Sequence, residues 1–347
     1  MKKESLQEII DAGNLAPSGG NSQSWKFYVR GSEIDVIPLV EKDHKILNIG
    51  GRGTYIGCGA VLENMEQKAK ELGFSTSFVF FPKDGIAATA SFSEGFEGEH
   101  FASEISNRHS NRKPYKKDSL TEEEKEFLFK EVSEFENLNT SLVEGEEKGE
   151  AAKCLAHDIV LNMKNKDLHD LLFDEVLWKE EEQKEKAGLY VKTMEAVPPK
   201  SFIFKLLGNW NVAKFFTKIG LIDKIYEESS QNAASSSAIV AIIAPNNHQD
   251  FVRVGKLLQN IWLRATKLGF SMQIHAGIIF LSQQVLYGKV DVFTDEEEIK
   301  LKELNSELHT LFSVPKDKAL GIIFRIGKAE EPLATSYKRR AVVEWSN

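Results

Sequence analysis

An α+β fold is what this sequence predicts: a mixed sheet flanked by helices, made from two fused repeats that pair as a pseudo-dimer. Three observations point there. Helical and strand-like segments alternate along the 347 residues, the mark of layered α and β structure. At least one pair of strands is joined by a tight turn, which argues against a doubly wound, all-parallel sheet. One amphipathic helix recurs further along the chain with its glycines in place.

In chain order, residues 5–15 (SLQEIIDAGNL) read as a short amphipathic helix stopped by Pro17. A Gly/Ser/Asn loop, APSGGNSQ, follows. SWKFYVR and EIDVIPL alternate like strands around Gly31-Ser32 and read as a hairpin. TYIGCGAVLENMEQKAKELGF reads as a long helix capped by Gly73. STSFVFFP and IAATASF are strands. After NRHSNRKPY a helix begins at Thr121, where Thr and Glu stand at capping-box spacing. Residues 146–230 read as helical and highly charged, with an aromatic-rich middle. SSAIVAIIAP is a buried strand and DFVRVGKLLQNIWLRATKLGF a long helix. Residues 295–312 form another helix, and ALGIIFRIG a strand.

The repeat is ungapped. GAVLENMEQKAKELGFS from Gly59 matches GKLLQNIWLRATKLGFS from Gly255 at an offset of 196. Identical pairs include Gly59/Gly255, Leu62/Leu258, Asn64/Asn260, Gly73/Gly269 and Phe74/Phe270. Convergence accounts for an apolar stripe and a capping glycine. It does not account for the paired asparagines or the glycine that opens each copy. Duplicated halves commonly pair about a pseudo-twofold axis. The expected division is 1–105 for the first repeat and 106–347 for the second, with a helical cap inserted at about 146–232.

A net charge of −8 makes broad nucleic-acid binding a poor expectation, since phosphate neutralisation needs clustered Lys and Arg. Cys58 and Cys154 are far apart and complete neither a disulfide framework nor a zinc pattern, so no metal is expected. The opening MKKESLQEII has no apolar stretch typical of a secretory signal, and no apolar run approaches bilayer length. A cytoplasmic protein follows as the expectation. There is no GxSxG, HExxH, P-loop or strand-borne GxGxxG.

Three motifs stand out. APSGGNSQSW, Ala16 to Trp25, gives a tight loop of exposed backbone N–H groups with the side-chain amides of Asn21 and Gln23. Such a loop suits a planar heterocycle whose edge alternates donors and acceptors. In RHSNR an extended backbone turns Arg108, Ser110 and Arg112 the same way, a grip for a phosphate and a polyol. His109 sits among them. KRR, Lys338 to Arg340, is a basic cluster in an acidic chain.

Together these resemble the nitroreductase family. APSGGNSQSW is similar to its APS-x-x-N-x-Q-P-W loop, RHSNRKPY to its R-x-S-x-R/K-x-F/Y motif, and the closing RIG with the later arginines to its terminal phosphate-binding segment. The rearranged order resembles the long single-chain, Acg-like branch, a fused nitroreductase dimer. The likeness is weak over about 130–235, and Ser24 replaces the usual proline. The resemblance implies FMN as cofactor and NAD(P)H as a transient electron donor. It implies that Arg108 and Ser110 contact the phosphate and ribityl chain, with Arg112 near the N1–C2=O edge. Pro17, Ser18 and Asn21 would line the isoalloxazine, backbone at Ala276 and Gly277 would approach N5, and Arg339 or Arg340 would complete the phosphate site. The flavin carries the chemistry, so no catalytic residue is assigned beyond a tentative role for His275.

Each half keeps what the other lacks. The first has the APS loop but starts too late for R-x-S-x-R; the second has RHSNR, but EFENLNTSLV lacks the loop pattern. The expectation is one FMN per chain, between the repeats. In the middle segment, KEEEQKEKA reads as a solvated helix face. VPPKSFIFKLLGNWNVAKFFTKIGLIDKIY mixes Lys with aromatic residues, a pattern that also suits a membrane-surface helix. Two-faced helices packing on their own protein are commoner, and a cap over the pocket is the preferred expectation, with Trp210, Phe215 and Phe216 as candidate lining residues. A membrane is not an expected partner. The function expected is NAD(P)H-dependent reduction of a nitroaromatic, quinone or similar electron-poor small molecule by a monomer or homodimer. The rivals are a protein that sequesters FMN with little turnover, and an interaction or membrane-surface protein with a vestigial site.

Overall fold

The Gly31-Ser32 turn joins β1 (Trp25–Arg30) to β2 (Glu33–Pro38) in register from Arg30 opposite Glu33. This is a computed structural model, and it describes residues 1–288 and 290–346. Around the hairpin stand α1 (Lys3–Asn14), α2 (Arg52–Glu71), β3 (Phe74–Phe80) and β4 (Ala88–Glu94). Then come α3 (Glu122–Phe129), β5 (Asn139–Val143), α4 (Gly145–Lys164) and α5 (Lys166–Asp174). The two-residue strands β6 (Val176–Leu177) and β7 (Leu189–Tyr190) flank α6 (Glu182–Glu185). Next are α7 (Lys200–Leu207), α8 (Trp210–Lys218), α9 (Leu221–Ala234), β8 (Ala238–Ala244) and α10 (His248–Lys267). The chain closes with β9 (Ser271–Ile274), α11 (Gly277–Tyr287), α12 (Asp295–Leu311), β10 (Ala319–Gly327) and β11 (Val343–Trp345).

The architecture is α+β, and its two main sheets have one plan. The order β1-β2-β4-β3 in the first is matched by β5-β8-β10-β9 in the second, antiparallel throughout. The mixed sheet expected from the sequence is the first one, where the tail adds β11 parallel to β1, while the second is antiparallel throughout. The sheets differ in two connections. Residues 81–87 join β3 to β4, whereas residues 275–318, carrying α11 and α12, join β9 to β10. Where a two-residue turn joins β1 to β2, residues 144–237 join β5 to β8, so the helical segment is an insertion at a hairpin turn. Both β8 and β10 are buried along their whole length, as continuous apolar runs require when helices cover both faces.

The repeat helices α2 and α10 cross each other, and the crossing is symmetric under the 196-residue offset. A Cβ on Gly59 would collide with the Val252 carbonyl, and one on Gly255 with the Ile56 carbonyl. Gln259 donates to Asn64 Oδ1 at 2.7 Å, and its counterpart is Asn260 donating to Glu63 Oε1 at 2.9 Å. The glycines and asparagines that convergence left unexplained are therefore the contact itself. They bring the two backbones together and give the buried Gln259 and Asn260 amide N–H groups acceptors there.

Helix starts follow the sequence closely. Thr121 accepts from Glu124 N while Glu124 reaches back to the Thr121 N–H, the reciprocal cap expected there. Gly73 takes φ +82° after α2, as a helix C-cap demands. Among the described residues no helix is long and apolar enough to cross a membrane.

Candidate functional site

The first-half loop and the second-half cations meet in one cavity of about 210 Å³. Pro17, Ser18 and Asn21 form one wall, and Arg108, Ser110 and Arg112 another. His109 and Lys338 also face it, and Leu189 and Thr193 of the inserted segment line it as well.

The loop's shape comes from its own polar groups. Ser18 Oγ accepts from Gln23 N at 3.0 Å, and Asn21 N donates to Ser18 O at 3.1 Å. Gly20, Asn21 and Gln23 adopt φ of +53°, +52° and +49°. At Gly20 a side chain is doubly excluded, because its Cβ would lie 2.9 Å from Glu175 Oε2. Trp25 is buried, with its indole N–H donating to Asn14 Oδ1 at 3.2 Å. Ser24, in the place of the family's proline, donates to Ser22 Oγ at 2.8 Å.

On the other wall the extended stretch runs beside β9. Asn111 N donates to Met272 O at 3.0 Å, and Ser110 bridges to Met272. The Asn111 amide turns away to Ser271 Oγ and to Glu330 O, at 3.1 and 2.7 Å. Ser110 and Arg112, its neighbours, face the cavity, as alternation along an extended chain requires.

The electrostatics of this cavity are one-sided. Burial pushes the Arg108 guanidinium down to about 10. It lies 4.6 Å from the Trp262 ring centroid and donates to Leu15 O at 3.3 Å, while its Nε has no partner. Burial, with Arg108 and Arg339 nearby, holds Lys338 well below the usual lysine range. Its ammonium donates to Ala16 O at 2.8 Å and Asn21 Oδ1 at 2.9 Å. Arg112 is also lowered by burial and donates to the Thr193 carbonyl at 2.9 Å. His109 is lowered by burial, against an opposing pull from exposed Glu331 3.5 Å away. Among the described residues no carboxylate pairs with Arg108, Arg112 or Lys338. Three desolvated cations and an orphaned N–H fit an anion with several acceptor oxygens. The loop amides beside them fit the polar edge of a ring system.

Not every expected residue is in this cavity. Arg339 and Arg340 are not; Lys338 takes the place given to them. Arg339 points away from the cavity, and its guanidinium donates to Asn21 O, Ser22 O and Lys186 O at 2.9, 2.8 and 3.1 Å. It fastens loop, tail and insertion together. Arg340 is exposed and lies with Arg339, Lys42 and Lys186 on a second, outer groove. Ala276 and Gly277 are also absent from the lining, because the turn they form packs on α4. A Cβ on Gly277 would lie 2.9 Å from Asp158 Oδ2. His275 stands behind Arg112, and burial with the charges of Arg325 and Arg112 drives it down to about 3. At neutral pH it is an uncharged imidazole, unsuited to act as an acid. Trp210, Phe215 and Phe216 line neither groove, and Phe215 is 59% exposed. The parts of the insertion that reach the cavity are Leu189 and Thr193, which no motif marks.

Sequence reasoning also missed the clamp that seats the tail. Gln23 Nε2 and Asn14 Nδ2 donate to Arg339 O at 3.1 and 2.7 Å, and Gln23 Oε1 accepts from Arg339 N at 2.8 Å. Half-buried Glu175, raised by desolvation to about 7, was missed too. So was Asp158, raised to about 6 by the same cause.

Comparison with known proteins agrees with the loop. Residues 1–48, which include APSGGNSQSW, match the model of the nitroreductase family. An uncharacterized protein of Mycobacterium tuberculosis, MT1398, is 22% identical over 344 residues, 95% of this chain and 47% of its own length. The chain thus spans about half the length of that curated relative. An FMN-bound nitroreductase from Bacteroides fragilis is similar at 12% identity and a TM-score of 0.38, over 70% of this chain and 96% of that one. The FMN-dependent nitroreductase NfnB from Mycobacterium smegmatis, solved with NADPH, is similar at 15% identity and a TM-score of 0.37, over 66% and 88%.

Proposed function

We propose that this nitroreductase-like chain is an FMN-dependent oxidoreductase with one flavin site, shared between its two repeats, that passes electrons from NAD(P)H to a small electron-poor acceptor. The observation that carries the reading is the set of buried cations without counter-charge facing the Pro17–Asn21 loop across one cavity. Arg108 and Lys338 would hold the phosphate and Ser110 the ribityl hydroxyls. Pro17, Ser18 and Asn21 would wall one side of the ring and exclude water from it. Bound flavin supplies the hydride and electron transfer. Arg112 would set a guanidinium at the pyrimidine edge, where it would stabilise negative charge. No acid–base triad is needed for this chemistry. Nitroaromatics and quinones suit such a site because they accept electrons without requiring a positioned protein nucleophile.

A second reading has an observation of its own. The cavity, at about 210 Å³, is smaller than the roughly 300 Å³ at which small-molecule pockets begin. The Thr193 carbonyl already takes the Arg112 donor. A chain that holds FMN there with little turnover fits both facts. The two readings separate in one experiment, the visible spectrum of FMN-loaded protein before and after anaerobic NADPH. Bleaching of the visible flavin band supports the oxidoreductase. Flavin that binds and stays oxidised supports sequestration, and protein that takes up no FMN contradicts both.

A further inference from the structure

The inserted segment carries a surface that the cavity does not use. No Asp or Glu occurs from Ala196 to Ile222, while Lys200, Lys205, Lys214 and Lys218 do, in a chain whose net charge is −8. Six of the fourteen exposed large hydrophobic residues among those described fall in the same stretch: Val197, Phe202, Ile203, Leu206, Phe215 and Ile219. Phe202 and Leu206 stand one turn apart on α7, and Ile219, which caps α8, follows Phe215 of that helix by one turn. The opposite faces are committed to the protein. Phe204 meets Phe173 and Trp178, and Leu207, Ala213 and Ile222 are buried with Met163 of α4. The exposed faces are therefore not a loosely folded core; they are what remains after the core has formed.

We infer that α7 and α8 form a docking face for an anionic lipid bilayer, with Phe202, Leu206, Phe215 and Ile219 entering the interface and the lysines meeting headgroup phosphates. Charge decides between occupants. Lys200 pairs with Glu228, but Lys205, Lys214 and Lys218 are exposed and have no carboxylate partner among the described residues. A second copy joined face to face would set these lysines against themselves. An anionic headgroup layer satisfies them and takes the apolar side chains below it, the arrangement that amphipathic interfacial helices adopt. Exposed aromatic side chains beside lysines have little reason to persist on an otherwise acidic, solvated surface. This inference is independent of the flavin reading.

The test is sedimentation of the full chain with vesicles of phosphatidylcholine alone and of phosphatidylcholine with phosphatidylglycerol. Binding to the anionic vesicles that falls with added salt is expected, with the protein left in the supernatant of the neutral ones. Lys214→Glu with Lys218→Glu should lower the partition by roughly fivefold per lysine or more. Phe202→Ser with Phe215→Ser should lower it on the same vesicles, with circular dichroism unchanged. Wild-type protein carries a further readout that needs no variant: brominated acyl chains should quench its tryptophan fluorescence, through Trp210 on α8. Absence of binding to anionic vesicles at low salt overturns the inference. So does undiminished binding of both variants, or a concentration-dependent dimer that the Phe variant abolishes.

Discussion

Replacing Arg108 by Met separates a ligand-binding cation from a structural one, because the two roles predict opposite signs. In the free protein Arg108 is 8% exposed, has no carboxylate partner among the described residues and is held down to about 10 from 12.5. Keeping it charged at neutral pH then costs the fold on the order of 3 kcal/mol, at about 1.4 kcal/mol per unit. Its compensation is modest: one bond to Leu15 O at 3.3 Å and a stacked contact with Trp262. Met keeps most of the apolar volume and removes the buried charge. The free variant is therefore expected to melt at or above the wild-type temperature. A dianionic phosphate would repay the desolvation in the wild type alone, and losing such a charge-assisted contact costs about 2 kcal/mol. FMN affinity should fall roughly 30-fold, and the rise in melting temperature on adding FMN should shrink with it. Thermal melts with and without FMN, together with quenching of free FMN fluorescence on titration, measure both. A variant that melts several degrees lower while binding FMN as tightly as wild type would refute the reasoning.

Three further outcomes follow from the same geometry. Lys338→Met should weaken FMN binding tenfold or more, while Arg340→Ala, exposed on the outer groove, should leave it unchanged in the same titration. Gly59→Ala and Gly255→Ala should each destabilise the chain by about 3 kcal/mol or more in denaturant unfolding, since backbone and not a flexible side chain blocks the added methyl. Glu175 is raised from 4.5 to about 7 by desolvation with Asp43 nearby, so the folded state holds a proton that the unfolded state has lost. Its contribution is present below pH 4.5 and disappears as pH rises through about 7. Measured from pH 5 to 8, wild-type stability should fall relative to Glu175→Gln by about 1–2 kcal/mol, allowing for partial exposure. A constant difference between the two would show that Glu175 is ionised throughout.

Local features were readable from the sequence where a single interaction decides them. Thr121 and Glu124 give a reciprocal cap wherever they occur at that spacing, and Gly73 caps α2 because left-handed backbone favours glycine. The Gly59 and Gly255 crossing was legible as a repeat, although its cause, contact of two backbones, appears only in three dimensions. Arg108, Ser110 and Arg112 reach the cavity together because an extended chain alternates. At Lys338 to Arg340 the cluster was visible but its phase was not. That phase is set by Asn14 and Gln23 gripping the Arg339 backbone from more than 300 residues away in sequence. The insertion was the least legible part. Phe215 reads as a pocket residue by composition and is instead exposed, because the other faces of α7 and α8 pack against Phe173, Trp178 and Met163.

The stoichiometry of FMN binding tests the central claim most directly. Equilibrium dialysis of the full chain against FMN, with bound flavin released and counted against protein, should give one FMN per chain, because one loop and one cation set are available to build the site. Saturation at two per chain would mean that each repeat binds flavin by itself, and absence of binding would mean that the buried cations serve another anion.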